Sequence, residues 1–207
     1  MNTPSDEQQS IIDTIKNGHN VIVDACAGSG KSTTILSLAM QMPNTKFIQL
    51  TYNSSLRYEI RDKVKQLQMK NLQVHTYHSL AVGYYDSNAY TDTGMRRVVY
   101  QDMSLNNIST SYDVVVIDEA QDMTLLYYRF VKKFLSNNEN KIQIMILGDY
   151  KQGLYEFKGA DTRFLTLGHF LWEDFHLLKS RIFEKKTLKM SYRVTDQICD
   201  FVNHVML

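Results

Sequence analysis

The protein has 207 residues, a formal net charge of +1, 43% hydrophobic and 22% charged residues. These values are ordinary for one well-cored globular domain and argue against a disordered chain. No run of about 18 apolar residues occurs, and the polar N-terminus is unlike a signal peptide, so we expect no membrane partner. The two cysteines, Cys26 and Cys199, are flanked by apolar residues and indicate a reduced, intracellular setting, in either cytoplasm or nucleus.

Strand-length apolar runs alternate with helix-like segments. The predicted strands are residues 20–26, 46–52, 72–78, 113–119, 141–149 and, more weakly, 186–192. The predicted helices are residues 5–17 (with a capping box from Ser5 to Gln8), 31–41, 54–68, 124–137 and 195–207. Because the strands are continuously hydrophobic, burial on both faces is expected. The sequence therefore predicts an α/β fold with a parallel sheet flanked by helices, interrupted by a small insertion or reduced subdomain at residues 80–112.

The segment ACAGSGKST, residues 25–33, follows the first predicted strand and precedes a helix. It matches the phosphate-loop pattern G-x-x-x-x-G-K-[ST], with Ala25 in place of the first glycine. The alternative is a glycine-rich turn with a chance lysine. In the phosphate-loop interpretation, Lys31 reaches the β and γ phosphates of ATP and the Ser32 hydroxyl binds Mg²⁺. The loop residues expected to bind the nucleotide are Ala27, Gly28, Ser29, Gly30, Lys31, Ser32 and Thr33.

Two adjacent carboxylates end the fourth predicted strand, in VVVIDEAQD at residues 114–122. An acid at the tip of a neighbouring parallel strand can complete the metal site of a phosphate loop, and Asp118 is placed for this role. Glu119, the next residue, can take a proton from an attacking water. The alternative is a solvated acidic strand end. Together with the phosphate loop, these acids indicate a nucleoside triphosphatase that uses ATP and Mg²⁺.

The motifs, in their order along the chain, resemble those of UvrD/Rep-like superfamily 1 DNA helicases. The matching segments are EQQSII (Q motif), the phosphate loop (motif I), LTYN (Ia), TYHSL (the TFHS-like motif), DEAQD (II), LGDYKQGLYEFKGA (III) and LKMSYR (IV). The resemblance implies a single N-terminal RecA-like ATP-binding lobe over residues 1–207, belonging to a helicase or translocase. No match to motifs V and VI occurs, so the second RecA-like lobe is expected to be a missing partner.

The resemblance also implies roles for four residues around the nucleotide. Gln8 would meet the adenine edge, and Tyr192 would stack on the adenine. Gln152 would contact the γ-phosphate and signal its loss to the nucleic-acid site. Arg193 would contact the γ-phosphate, where a guanidinium can stabilise developing charge; the alternative is a surface salt bridge. The expected catalytic residues are Glu119, Lys31, Gln152 and Arg193.

A second set of matching residues implies contacts with single-stranded DNA, although RNA is possible because stacking does not read the 2′-hydroxyl. The expected nucleic-acid residues are Tyr52, Asn53, His78, Tyr155, Phe157 and Lys158, with Thr51 on the same path. Tyr155 and Phe157 could instead pack in the core, and His78 could be a satisfied core histidine. Other interpretations of the whole chain are a nucleotide-dependent switch without unwinding activity and a small-molecule kinase. The Q motif and the YEFKGA segment argue against the kinase.

Overall fold

The computed structural model describes residues 3–106, 110–153, 157 and 159–193. Within these residues, six parallel strands form one sheet in the order β3-β2-β4-β5-β1-β6. The strands are Asn20–Ala25 (β1), Phe47–Thr51 (β2), Leu72–Thr76 (β3), Val114–Ile117 (β4), Gln143–Gly148 (β5) and Phe183–Leu188 (β6). The predicted parallel α/β sheet is confirmed. Among the described residues, no helix is both long and apolar enough to cross a membrane.

Helices connect the strands on both faces of the sheet. The α-helices are Asp6–Lys16 (α1), Lys31–Gln41 (α2), Ser54–Gln66 (α3), Tyr77–Tyr84 (α4), Asp92–Tyr100 (α5), Leu125–Leu135 (α6), Arg163–Thr166 (α7) and Gly168–Trp172 (α8). Single 3₁₀ turns span Ala120–Asp122 and Tyr150–Gln152. The capping box predicted at the start of α1 is present, with Ser5 Oγ accepting from the Gln8 N–H and the Gln8 side chain accepting from the Ser5 N–H.

The sheet separates two hydrophobic cores. On one side α1, α2 and α3 bury Ile11, Ile35 and Ile60. On the other side α4, α5, α6 and α8 bury a larger cluster that includes Phe130 and Trp172. Strand β4 supplies both cores, with Val114 and Val116 on the first side and Val115 and Ile117 on the second. This two-sided burial is the physical reason for the continuous hydrophobic runs in the central strands.

The edge strands depart from the sequence prediction. Strand β6 spans Phe183–Leu188 rather than residues 186–192, and β3 ends at Thr76 rather than at residue 78. Thr76 instead caps α4 in a capping box with Ser79, so Tyr77 begins a helix. Burial on both faces is wrong for β3, where residues on one face are partly or fully exposed, and for β6, where only Leu188 is buried. Edge strands meet a neighbour on one side only, and polar side chains on them oppose aggregation.

The segment predicted as an insertion, residues 80–112, overlaps the end of α4 and contains α5. Helix α5 packs against α6, and its Met95 and Val98 are fully buried in the larger core. The helix predicted at residues 195–207 lies outside the described residues.

Replacing Phe130 with alanine tests the larger core. Phe130 is fully buried, so Phe130→Ala should lower the free energy of unfolding by about 3–5 kcal/mol. Met40 on α2 is 47% exposed, and Met40→Ala is the control, with an expected change within about 0.5 kcal/mol. Urea denaturation followed by circular dichroism measures both. Equal stability of the two variants would contradict the assignment of Phe130 to the core.

Candidate functional site

Three parallel strands end side by side at the carboxyl edge of the sheet. In register, Asp24 of β1 pairs with Gly148 of β5, and Ile117 of β4 pairs with Ile146 of β5. Three segments therefore lie together at this edge. They are the phosphate loop after β1, the Asp118–Glu119 pair after β4 and Asp149 after β5. Ligands of open parallel sheets bind at this edge, between neighbouring strand ends.

The phosphate loop has the backbone shape that anion binding requires. Gly28 and Gly30 have φ of 74° and 88°, and α2 begins directly afterwards at Lys31. The φ of Gly30 is one that residues with a side chain rarely adopt, so glycine is favoured here. The Gln8 amide also approaches the Gly30 carbonyl, at 3.5 Å. Ala25, the departure from the pattern, is the last residue of β1 and is buried, so it needs no unusual backbone.

A cleft of about 530 Å³ lies over this loop, a size suited to a nucleotide-sized ligand. Most of the predicted nucleotide and catalytic residues line it. These are Gln8, Ala27, Gly28, Ser29, Gly30, Lys31, Ser32, Thr33, Glu119, Gln152, Tyr192 and Arg193. Four further lining residues, Thr3, Leu56, Glu59 and Lys63, were missed by the sequence analysis. The last three lie on α3, and sequence position alone gives no indication that this helix faces the cleft.

The two carboxylates after β4 have different surroundings. Asp118 is buried and accepts from the Gln49 side chain at 2.9 Å and from the Glu119 N–H at 3.0 Å. Burial, followed by the charge of Glu119, raises the pKa of Asp118. Glu119 faces the cleft, where its Oε2 lies 3.4 Å from Lys31 Nζ. Its backbone is left-handed, with φ of 54°, a strained conformation for a side-chain-bearing residue that occurs most often at functional sites.

A chain of hydrogen bonds joins Glu119 to Gln152. The Gln121 side-chain nitrogen donates to Glu119 Oε2 at 2.8 Å, and its oxygen accepts from the Asp149 N–H at 3.1 Å. Asp149 in turn accepts from the Gln152 side chain at 2.7 Å. Gln121 and Asp149 are buried, so the bond between them has little competition from water. The sequence analysis did not assign a role to Gln121 or Asp149, because the contact joins segments about 28 residues apart.

The segment after β6 is tied to the phosphate loop through its backbone and a serine. The Tyr192 N–H donates to the Gly28 carbonyl at 2.9 Å, and the Ser191 hydroxyl donates to the Ala27 carbonyl at 2.8 Å. These two bonds place Tyr192 and Arg193 at the cleft rim. Tyr192 is 60% exposed, so its ring is accessible for stacking.

The donor set fits a magnesium–nucleotide complex. Mg²⁺ prefers oxygen ligands and commonly combines one or two protein oxygens with substrate phosphates. Ser32 lines the cleft and can supply such an oxygen. Asp118, the other predicted ligand, is not among the lining residues, and both its carboxylate oxygens accept hydrogen bonds in this structure. Within the described part of the chain, no cluster of three or more His, Cys, Asp or Glu residues could hold a metal ion on its own.

The residues predicted to contact nucleic acid gather beside this cleft only in part. Tyr52 and His78 lie around Tyr127, with ring centroids 6.0 Å and 5.7 Å from it. Asn53 caps α3 by accepting from the Ser55 N–H, and Thr51 is fully buried. Phe157 is 79% exposed. Tyr155 and Lys158 lie outside the described residues. Tyr127 was missed because helical spacing marks it only as a core residue.

Comparisons with known proteins agree with this geometry. A family model described as an AAA domain matches residues 8–158. The chain is 28% identical over 103 residues to the probable DNA helicase II homolog of Mycoplasma genitalium, across 50% of this chain and 13% of that relative. It is 30% identical over 95 residues to the ATP-dependent DNA helicase UvrD2 of Mycobacterium tuberculosis, across 46% of this chain and 12% of that relative. The chain thus spans about an eighth of the length of these curated relatives.

A solved structure shows the same fold. Pif1 of Bacteroides sp in complex with ADP-AlF4 superposes with a TM-score of 0.53, at 18% identity, across 98% of this chain and 45% of that chain. The predicted RecA-like P-loop fold and the likeness to UvrD-like helicases are therefore confirmed.

Gly148→Ala tests the hydrogen-bond chain around Gln121. The added Cβ would lie 2.3 Å from Gln121 Oε1 and 3.2 Å from the Ala120 nitrogen, so Gln121 must move and lose its bonds. We expect a loss of about 1–3 kcal/mol in the free energy of unfolding.

Gly83→Ala on α4 is the matched control. Nothing lies within 4 Å of its Cβ position, and alanine in a helix should stabilise by about 0.5–1 kcal/mol. Gln121→Ala removes the side chain that the new Cβ would meet. The double variant should therefore lose less free energy of unfolding than the sum of the losses in Gly148→Ala and Gln121→Ala. Fully additive losses, measured by urea denaturation, would show that Gly148 and Gln121 are not coupled.

Proposed function

The chain belongs to the AAA domain family, and on that premise we propose that it is the ATP-binding lobe of a DNA helicase or translocase. In this proposal, ATP hydrolysis drives movement along single-stranded DNA. The observation that carries the proposal is the convergence of Lys31, Glu119, Gln152 and Arg193 on one cleft at the carboxyl edge of the sheet. The two curated relatives are both DNA helicases, which favours DNA over RNA.

The cleft residues divide into those that bind and those that react. The loop N–H groups and the N-terminus of α2 bind the phosphates, with Lys31 on the β and γ groups. Ser32 and Asp118 would hold Mg²⁺, which would offset the negative charge of the phosphates. Gln8 and Tyr192 hold the adenine, since both lie on the cleft wall and Tyr192 is accessible.

The hydrolysis step follows from the placement of Glu119. A water oxygen attacks the γ-phosphorus, the bond from phosphorus to the β–γ bridging oxygen breaks, and ADP leaves. The water proton passes to the Glu119 carboxylate, which Gln121 orients through a bond of 2.8 Å. Lys31 and Arg193 stabilise the charge on the phosphate oxygens. When ATP binds, Lys31 leaves its 3.4 Å contact with Glu119 and contacts the phosphates instead.

Coupling to nucleic acid uses the segment that contains Gln152. The bonds from Glu119 through Gln121 and Asp149 to Gln152 connect the base to the segment carrying the exposed Phe157. When the γ-phosphate is lost, Gln152 loses its contact with it, and the segment that carries Gln152 and Phe157 changes position. Aromatic side chains there, Tyr155 and Phe157, stack on bases without regard to sequence, and Lys158 neutralises a phosphate. A second RecA-like lobe completes the motor.

Lys31→Ala tests the nucleotide site directly. Removing the ammonium should weaken ATP binding at least about 10-fold, because a charge-assisted contact to phosphate contributes about 1.5–3 kcal/mol. Titration of a fluorescent ATP analogue in Mg²⁺ buffer measures the affinity. Lys70→Ala, at an exposed lysine before β3, is the control and should bind normally. Equal binding by both variants would remove the cleft as the ATP site.

Glu119→Gln separates binding from chemistry. The variant keeps the shape of the side chain but cannot accept the proton, so in the complete helicase that contains this lobe ATP turnover should fall at least about 100-fold with ATP binding retained. Phosphate release, with and without single-stranded DNA, is measured beside the nucleotide titration. Near-normal turnover would exclude Glu119 as the base.

A further inference from the structure

The helix of the inserted segment, α5, presents a carboxylate to the aromatic residues beside the cleft. Oδ1 of Asp92, the first residue of α5, accepts from the Tyr127 hydroxyl at 3.0 Å and lies 3.0 Å from His78 Nε2. One oxygen atom therefore binds two side chains from two other helices, α4 and α6. Both partners are aromatic, and neither lies in the nucleotide cleft.

The partners of Asp92 form an ordered stack. The Tyr127 ring lies parallel to the Tyr77 ring, with centroids 4.7 Å apart and an angle of 6°. His78 meets the Tyr127 ring edge-on, at 81°, and the Tyr52 ring is tilted by 45° to the Tyr127 ring, with centroids 6.0 Å apart. Tyr77 and Tyr127 are buried, whereas Tyr52 is 36% exposed and the His78 side chain 31% exposed. The buried pair thus supports two accessible rings.

The protonation of Tyr127 keeps this arrangement in place. Burial, followed by the Asp92 charge, raises the pKa of the Tyr127 hydroxyl, so it remains a hydrogen-bond donor at neutral pH. With Oδ1 occupied by the tyrosine and the histidine, His78 can turn only by losing a charge-assisted bond. The Asp92 side chain is 56% exposed, at the accessible side of the cluster.

We propose that Asp92 is a positioning residue that fixes the rings of His78 and, through Tyr127, of Tyr52 as a stacking surface for the bases of single-stranded DNA. This inference rests on the proposed function and assigns a role to the segment predicted as an insertion. Fixed rings lose less conformational entropy when a base stacks on them, so binding is stronger than on rings that rotate. The surface lies at the carboxyl ends of β2 and β3, beside the nucleotide site.

Asp92→Ala and Asp92→Asn test the proposal with a labelled oligo-dT strand and fluorescence anisotropy. Asp92→Ala removes the acceptor and should weaken binding about 10-fold, the scale of one stacked base. Asp92→Asn keeps an oxygen acceptor for both donors and should restore affinity to within about threefold of the wild type. Asp102→Asn is the matched control, because Asp102 also joins the inserted segment to α6, through Lys133, and has the same charge.

A second measurement needs no nucleic acid. Long-range ¹H–¹⁵N spectra of the histidine rings report which nitrogen of His78 carries the proton. The His78 ring protonated on Nε2 should dominate in the wild type and in Asp92→Asn. In Asp92→Ala the fraction of this form should fall.

The outcomes separate the inference from the proposed function. If the wild type binds and Asp92→Ala binds equally well, the inference is overturned but the proposed function is not. The same holds if Asp92→Ala and Asp102→Asn lose the same affinity. Tighter binding by Asp92→Ala or Asp92→Asn would also overturn it, because the carboxylate would then repel the strand. Absence of binding by the wild type would overturn the nucleic-acid part of the proposed function and this inference with it.

Discussion

The parallel register of β4, β5 and β1 is the constraint on which the other features of the site depend. Parallel strands end on the same side, so pairing Ile117 with Ile146 and Asp24 with Gly148 places three loops within a few ångströms of one another. Each loop alone is a short polar segment that carries only part of the set of functional groups. Together they bring the Lys31 ammonium, the Glu119 carboxylate and the Asp149 hydrogen-bond acceptor to one edge. The valines of β4 could fill either core, so the buried hydrogen bond from the Gln49 side chain on β2 to the Asp118 carboxylate helps to fix where β4 ends.

The site combines rigid buried parts with accessible ones. Asp118 and Gln121 are buried and hydrogen-bonded, which fixes the direction of the neighbouring Glu119 side chain. Tyr192 and Phe157 are exposed and suit contacts with planar ligands. The left-handed backbone of Glu119 is an unfavourable local conformation that the surrounding core stabilises. Such a division allows ligands to exchange while the reacting groups stay in place.

The inserted segment shows how tertiary packing extends a motif. Residues 92–100 carry an amphipathic helix whose Met95 and Val98 join the larger core. That packing brings the N-terminus of α5 over α4 and α6, where Asp92 meets His78 and Tyr127. Neither partner is close to Asp92 in the sequence. The aromatic cluster thus depends on the same core that stabilises the sheet.

The sequence by itself determined the parallel α/β sheet, the phosphate loop and the Asp118–Glu119 pair. These features depend on local signals, namely hydrophobic runs, glycine positions and strand-end acids, that need no knowledge of distant neighbours. The tertiary structure decided the ends of the edge strands, because exposed residues weaken the hydrophobic signal of β3 and β6. It also decided the roles of Gln121, Tyr127 and the α3 residues of the cleft wall, since their contacts join segments far apart in the chain. Periodicity shows that a side chain is buried, but only the folded chain shows which group it meets there.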